Sequence, residues 1–402
     1  MMKMSFEERI SRLKQRHISK YGSKEDELCV VFAPYRICPI GAHVDHQLGI
    51  VTGMTLENGI ILVFTKNDTG TINLSSLNFP EDKFFRLNGR PERAHDWSDY
   101  ARGAISALSG RFKINNGINA VLEGDLPIGG LSSSAAVGVS YLLAIEKAND
   151  ISVLPEDNIK LHLMIENDFI NLNVGILDQS VILLSKKDCL LYLNCMYYDN
   201  ETYDYGKSSS SFEVIVAYSG VRKKLVDTDY NKRVFECERA ASILIDKSCR
   251  RTPGAKKPKL GYIENSDFEE YKGHLSQPYR KRAEHFFSEC ERVNKGLKYW
   301  ANGEIEEFGK LMQESGQSSI VNYECGCPEL ISLTEILNET DGVYGARFSG
   351  AGFRGSCIGL SSPEKREQIK ERVEREYSKK HPGYKDSFEI HFCGIDSGAR
   401  IL

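Results

Sequence analysis

Leu126-Pro127-Ile128-Gly129-Gly130-Leu131-Ser132-Ser133-Ser134-Ala135-Ala136-Val137-Gly138 is the stretch from which the rest of the chain can be read. Pro127 ends whatever precedes it, and Gly129 and Gly130 permit tight turning and close backbone approach. Three serines follow, then a run rich in Ala, Val and Leu to Ile145 that suits a buried helix. A flexible loop entering a helix presents unpaired backbone N–H groups at the positive end of the helix dipole. That arrangement binds phosphate. The serine hydroxyls can add hydrogen bonds, or a ligand for the Mg2+ that accompanies ATP. No Lys-Ser or Lys-Thr pair follows the glycines and no G-x-G-x-x-G is present, so this is neither a Walker A loop nor a dinucleotide fingerprint. A Gly/Ser turn capping a core helix is the competing reading, and the stretch alone does not decide between them.

The remaining sequence supplies the context. At 402 residues the chain has room for two or three domains. Its 41% apolar and 27% charged content is that of an ordinary globular protein. A net charge of −4 gives no general affinity for nucleic acid, so an anionic substrate would need local basic residues. The 11 cysteines are scattered and odd in number, which fits reduced thiols in a cytoplasmic protein. Cys325-Gly-Cys327 is a tight pair, but its spacing fits no zinc ribbon. Met1–His17 reads as an amphipathic surface helix, not a signal peptide, and no apolar run approaches a membrane span.

Leu28–Pro34 reads as a strand, followed by a chemically dense loop over Tyr35–Gly49. Ile50–Phe64 reads as a hairpin turning at Glu57-Asn58-Gly59. Thr71–Leu87 suggests a strand pair, Trp97–Leu108 the start of a helix, and Ile118–Leu126 a strand feeding the Gly/Ser loop. Asn158–Asn171 is helical in pattern, and Val174–Leu184 sets one acid, Asp178, among apolar residues. Composition shifts near 185–210, which places a domain boundary there, with domains 1–190 and 191–402. Lys224–Ser248, Ala283–Trp300, Glu304–Ser315, Pro328–Asn338 and Pro363–Lys379 read as helices, Arg250–Lys259 as a solvated basic loop, and Arg233 with Glu236 as an ordinary pair on a helix face. Strands and helices come in mixed order, which favours an α+β fold over a doubly wound sheet.

Two further stretches resolve the ambiguity of the Gly/Ser loop. One is Ala33-Pro34-Tyr35-Arg36-Ile37-Cys38-Pro39-Ile40-Gly41-Ala42-His43-Val44-Asp45-His46; the other is Arg347-Phe348-Ser349-Gly350-Ala351-Gly352-Phe353-Arg354-Gly355. In this order the three stretches resemble the signatures of the GHMP kinase superfamily, and the first is similar to the galactokinase sugar motif A-P-G-R-x-N-x-I-G-E-H-x-D-Y. Gly175–Gln179, Tyr230–Ala240 and Cys327-Pro328-Glu329-Leu330 resemble further galactokinase segments. The resemblance implies a two-domain α+β fold with ATP and Mg2+ in the cleft between domains. It also implies phosphoryl transfer to the anomeric hydroxyl of a monosaccharide, in a monomer or homodimer.

Carried over by position, the resemblance makes Asp178 the base or orienter of O1–H and Arg36 the stabiliser of the transferring charge. His43, Asp45 and Tyr230 match sugar contacts, and Gly350 and Ala351 belong to the third signature beside the substrate. Gly129, Gly130, Leu131, Ser132, Ser133, Ser134 and Ala135 form the phosphate loop, with Ser134 on the Mg2+ side. Trp97 and Tyr100 sit where aromatics flank adenine. The plain alternatives are a structural Arg36–Asp178 ion pair, loop-capping roles for His43 and Asp45, and a core role for Trp97.

The departures from the pattern are informative. The family carries Glu where this chain has Ala42, facing the C6 hydroxyl of the sugar. A Glu at ~4 Å would repel a C6 carboxylate by up to about 4 kcal/mol at an effective dielectric near 20, so its loss suits a uronic acid. Tyr35 replaces Gly, His46 replaces Tyr, and Arg354 replaces a Gly of the third signature. A carboxylate wants a cation or several donors, which makes Arg354, Tyr230 and His46 candidate readers; Arg354 could instead meet ATP phosphates. The Gly/Ser loop is also one residue shorter than P-x-G-x-G-L-S-S-S. Together these features are similar to the uronic-acid branch, the galacturonokinases, which implies D-galacturonate as acceptor. An ordinary galactokinase and a non-catalytic sugar- and ATP-responsive regulator are the rival readings.

Overall fold

The computed structural model describes residues 4–87, 89, 91–206, 211–221, 229–248 and 257–402. Helix α1 (Phe6–Tyr21) opens on a capping box, Ser5 with Glu8, and ends on Gly22 in the left-handed region. Strand β1 (Cys29–Ile37) follows, then β2 (Ile50–Asn67), β3 (Thr71–Ser76) and β4 (Lys83–Arg86). Next come α2 (Asp99–Ser109), β5 (Gly117–Gly124), α3 (Ser133–Ala148), α4 (Pro155–Met164), a π-helical turn over Ile165–Phe169, and α5 (Leu177–Leu184). The hairpin β6 (Cys189–Asn194) and β7 (Asp199–Asp204) leads to β8 (Glu213–Tyr218).

A helical segment comes next: α6 (Tyr230–Ser248), α7 (Asn265–Tyr271), α8 (Tyr279–Asn302), α9 (Ile305–Val321) and α10 (Pro328–Asn338). The chain closes with β9 (Val343–Phe348), β10 (Ser356–Ser361), α11 (Arg366–Lys380), β11 (Glu389–Cys393), β12 (Ile395–Asp396) and β13 (Arg400–Ile401). The helix expected over Lys224–Ser248 is described from Tyr230. Residues 224–228 of it, and 250–256 of the expected basic loop, lie outside the described residues.

Two sheets carry the molecule. One has nine strands along the path β13-β1-β2-β5-β3-β4, with β12, β6 and β7 joined through β2. The other is antiparallel, in the order β11-β8-β10-β9. Among the described strands of the first sheet only β3 and β5 pair in parallel, so the architecture is α+β. Alternation along β1 explains its two covers: Val30 and Phe32 face α1 with Leu13, while Val31 and Ala33 face the larger core under α2 and α3. Helix α3 is buried on most of its circumference, as its apolar sequence requires. No helix among the described residues is long and apolar enough to cross a membrane.

The expected hairpin in Ile50–Phe64 is not formed: β2 runs unbroken for 18 residues. Glu57-Asn58-Gly59 reads as a turn, but the Asp125 carboxylate accepts from Asn58 Nδ2 at 2.6 Å and from Gly59 N at 3.0 Å. Glu57 N donates to Gly394 O at 3.0 Å. A Cβ at Gly59 would come within 2.4 Å of Ala33 O, so the glycine serves close strand approach and not a bend.

A division at 190/191 falls inside β6. Leu191 and Leu193 are buried and pair with Gly53 and Val51 of β2, so the β6–β7 hairpin stays with the first sheet. Sheet membership changes between Asp204 and Glu213, and β12 and β13 bring the last residues back to β2 and β1.

Arg233 and Glu236 are also not a surface pair. Both are buried, and Glu236 takes bonds from Arg233 at 2.9 Å and from Arg282 Nε at 2.7 Å, with Arg282 reaching on to Glu324 at 2.6 Å. The helical spacing is met, but α8 packs over that face and turns the pair into a buried network.

Candidate active site

The site lies where the Gly/Ser loop of the first sheet meets the β9–β10 loop of the second. Gly129, Gly130 and Ser132 all have positive φ, at 145°, 84° and 52°. This turns the chain sharply before α3 and leaves the backbone N–H groups from Gly129 through Ala135 without a protein acceptor among the described residues. The carbonyls of the turn are held from the other side: Ser349 Oγ donates to Gly130 O at 2.6 Å and Ser356 Oγ to Gly129 O at 2.9 Å. Carbonyls tied back and N–H groups left open are what an anion needs.

Beneath this loop Arg36, near the end of β1, donates through Nε to Asp178 Oδ1 at 2.8 Å and through Nη1 to Gly130 O at 3.2 Å. Ser132 Oγ donates to the second oxygen of Asp178. Asp178 sits in the first turn of α5, where the helix dipole favours a negative charge. Burial pushes its pKa up, but the charge and hydrogen bond of Arg36 and the Ser132 hydroxyl outweigh that and hold the carboxyl below its ordinary value.

The loop after β1 is set from below by α8. Gly41 N donates to Glu289 Oε1 at 2.8 Å, and His285 Nε2 lies 3.0 Å from Ala42 O. Burial raises the pKa of Glu289, but Arg292, His285 and Arg347 bring it down to about 2, so a fixed anion anchors the loop. Arg347 is buried beside it, bonded to Ser315 at 2.6 Å and Ser319 at 3.0 Å. His43 stacks on Tyr323, ring centroids 4.4 Å apart, and burial first, then Arg347, keeps its pKa well below the ordinary value. Burial and the charge of Asp178 raise Asp45 to about 6.

Most of the expected site residues share one cleft: Arg36, Ala42, His43, Asp45, Gly129, Gly130, Ser132, Ser133, Ser134, Asp178, Tyr230, Gly350, Ala351 and Arg354 all line it. Leu131 and Ala135 are buried behind it and support the turn. His46 does not line it. Its ring is bonded to Tyr323 Oη at 3.0 Å and to Gln47, and burial, with Lys259 nearby, lowers its pKa to about 3. It is therefore neutral and offers no cation to a carboxylate. Trp97 stacks on Phe79 at 5.8 Å outside the cleft. Tyr100 is turned inward, hydrogen-bonded to Ser134 and Glu166.

Glu166 is the acid that reading the motifs alone misses. It lies in the π-helical turn after α4, lines the cleft, and is bonded to Ser134 and Tyr100. Burial first, then the Asp178 charge, raises its pKa to about 8. The signal available in the sequence was an acid within a largely apolar helix, 12 residues before Asp178. Arg347, the first residue of the third stretch, was likewise not singled out and also lines the cleft.

No group of three or more His, Cys, Asp or Glu side chains among the described residues is placed to hold a metal. That is compatible with Mg2+, which takes one or two protein oxygens and completes its shell with phosphate and water. The Ser134 hydroxyl and Glu166 carboxyl, already in contact beside the Gly/Ser loop, are a donor set of that kind.

Comparison with known proteins finds likeness along nearly the whole chain. Residues 15–66 match the galactokinase galactose-binding signature, 99–186 the GHMP kinases N terminal domain, and 296–379 the GHMP kinases C terminal family. The sequence is 42% identical to the galacturonokinase of Arabidopsis thaliana over 418 residues, covering 98% of each chain. It is 32% identical to the galactokinase of Streptococcus thermophilus over 400 residues, covering 98% of this chain and 99% of that one. The fold superposes on the Lactococcus lactis galactokinase complexed with galactose with a TM-score of 0.89 at 26% identity, covering 98% of this chain and all of the other.

Proposed function

Since the chain belongs to the GHMP kinases, in the branch that carries the galactokinase signature, we propose that it transfers the γ-phosphoryl of ATP to the anomeric hydroxyl of D-galacturonate, giving α-D-galacturonate 1-phosphate and ADP. The observation that carries the choice of acceptor is Ala42, a small uncharged residue lining the cleft that holds Arg36 and Asp178. The likeness to a galacturonokinase over 98% of the chain supports the same choice.

In this reading the acceptor lies against His43, Asp45 and Tyr230, with its O1–H toward Asp178. Asp178 is ionised and a weak base, so it orients the hydroxyl and takes its proton late, as the O1–P bond forms and the bond from phosphorus to the β–γ bridging oxygen breaks. Arg36 meets the charge on O1 and the transferring phosphoryl, and the N–H groups of the phosphate loop meet the phosphates. Such a division suits a loose transition state in which position and charge do most of the catalysis. Ser134 and Glu166 are the residues that would hold Mg2+, which supplies charge neutralisation of the phosphates when bound. Tyr230, kept protonated by burial, is a hydroxyl donor on the acceptor side that can serve the C6 carboxylate. The two domains of the reading meet at this cleft, the first contributing Arg36 and the phosphate loop, the second Tyr230 and the β9–β10 loop.

The test is ADP release with ATP·Mg2+ and galacturonate, galactose or glucuronate as sole acceptor. Turnover with galacturonate at least tenfold above galactose supports the reading. The match of residues 15–66 to the galactose-binding signature favours galactose as the second reading, and preferential galactose turnover would establish it.

A further inference from the structure

Of the arginines lining the cleft among the described residues, Arg36 is held by Asp178 and Arg347 by Ser315 and Ser319, whereas Arg354 has no such partner and the reaction above leaves it unused. We infer that Arg354 is a nucleotide-binding residue, its guanidinium gripping the polyphosphate of ATP from the side of the β9–β10 loop.

Its backbone is fixed against the phosphate loop. Gly355, the next residue, packs on Gly129 so closely that a Cβ on either would come within 3.0 Å of the other's backbone. The Gly355 carbonyl is held by Ser219, through N at 2.9 Å and Oγ at 2.7 Å. The side chain, by contrast, is half-buried and makes no hydrogen bond or ion pair among the described residues. A partly desolvated guanidinium without a carboxylate is an open demand for an anion.

Position separates the two anions it could meet. Arg354 lines the cleft that holds Arg36 and Asp178, and also a second cavity behind Ile128, with Phe79, Pro127 and Tyr218. Ala42, His43, Asp45 and Tyr230 do not line that second cavity. Arg354 thus stands at the junction between the reacting groups and the space beyond the Gly/Ser turn, where a chain of phosphates leaving Asp178 must run. It is the one cation lining the second cavity among the described residues, and the acids there, Asp125 and Glu389, already have partners in Arg9 and His391. The loop itself is a residue short, and an arginine supplies donors in place of backbone N–H groups. The side chain is therefore assigned to the donor and not to the C6 carboxylate.

The inference rests on the kinase reading only in taking ATP as the donor. Binding of ATP, ADP and adenosine is measured by calorimetry without acceptor, for the wild type, Arg354→Met and Arg354→Lys. Arg354→Met keeps the apolar stem if removal of the whole side chain unsettles the loop. ATP affinity should fall about ten- to a hundredfold in Arg354→Met, as for a lost charged hydrogen bond. Adenosine affinity should be unchanged, and Arg354→Lys should recover part of the loss. In turnover, KM for ATP should rise while KM for galacturonate stays within twofold. Unchanged ATP affinity, an equal loss for adenosine, or a rise confined to KM for the uronic acid each overturns the assignment. Because affinity is read with no sugar present, the result stands whichever acceptor is phosphorylated.

Discussion

Arg36 Nε lies 2.8 Å from Asp178 Oδ1, an ion pair that ties the end of β1 to the first turn of α5 under the Gly/Ser loop. The Arg36 side chain is 5% exposed and that of Asp178 is 27% exposed, so one end of the pair is sealed and the other opens into the cleft. Asp178→Asn should keep the shape and remove the charge. The expected loss is on the order of 10²- to 10⁴-fold in kcat, the range for a positioned acid–base group, with KM for ATP little changed. Arg36 is left without its partner, and Tm should fall by less than full burial of the pair would imply, because water reaches the Asp178 side. Steady-state kinetics and a thermal melt on the same preparation check both. A variant with wild-type kcat and a lowered Tm would reduce the pair to a structural role.

Ala42 can be tested by restoring an acid. His285 holds the Ala42 carbonyl from α8, so the backbone is anchored independently of the side chain. Ala42→Glu should lower kcat/KM for galacturonate by about 10²- to 10³-fold, as repulsion of up to ~4 kcal/mol at close range allows. Ala42→Gln has nearly the same volume without the charge. It should cost galacturonate far less, and the difference between the two variants measures the electrostatic part. Equal losses in both would mean that space, not charge, decides.

How much of this was legible in the sequence depended on how local the cause was. The Gly/Ser loop, Arg36, Asp178 and the residues proposed to meet the sugar lie in short stretches whose residue types carry their own chemistry, and the fold assembles them in one cleft. The misreadings come from partners distant in sequence. Glu57-Asn58-Gly59 carries turn chemistry, and only Asp125, the residue just past the end of β5, shows why the strand passes through. His46 reads as a candidate cation until Tyr323 takes its ring. The two-residue β13 is too short to carry a pattern, yet it returns the end of the chain to β1. Glu166 is hidden because its neighbours Ser134 and Tyr100 come from two other helices.

Glu166 gives a pH signature. Folding raises its pKa from 4.5 to about 8, chiefly by burial. Between those values the folded state holds a proton that the unfolded state has released. The folded state thus binds more protons, and stability falls as pH rises through that window. Glu166→Gln removes this contribution. In melts without ligand the variant should gain on the wild type steadily from pH 5 to pH 8, and show little difference near pH 4, where both states of the wild type are protonated. A constant offset across the range would show that the residue does not titrate in this window.

Gly175 tests the acceptor side from a distance. It precedes α5, and a Cβ there would come within 2.2 Å of Asp45 Oδ2 and 2.9 Å of His46 N. Real Cβ contacts do not reach such distances, so either the carboxylate swings away or the loop moves; overpacking of this kind costs about 1–3 kcal/mol. The carboxylate is the softer element, because the loop is anchored through Glu289 and His285. Gly175→Ala should therefore raise KM for the sugar acid by about tenfold or more, with KM for ATP within twofold. Asp45→Asn should raise the same KM without overpacking, and so with a smaller loss of Tm. If Gly175→Ala raised both KM values equally, the displaced element would be α5 with Asp178, and Asp45 would not belong to the acceptor's binding site.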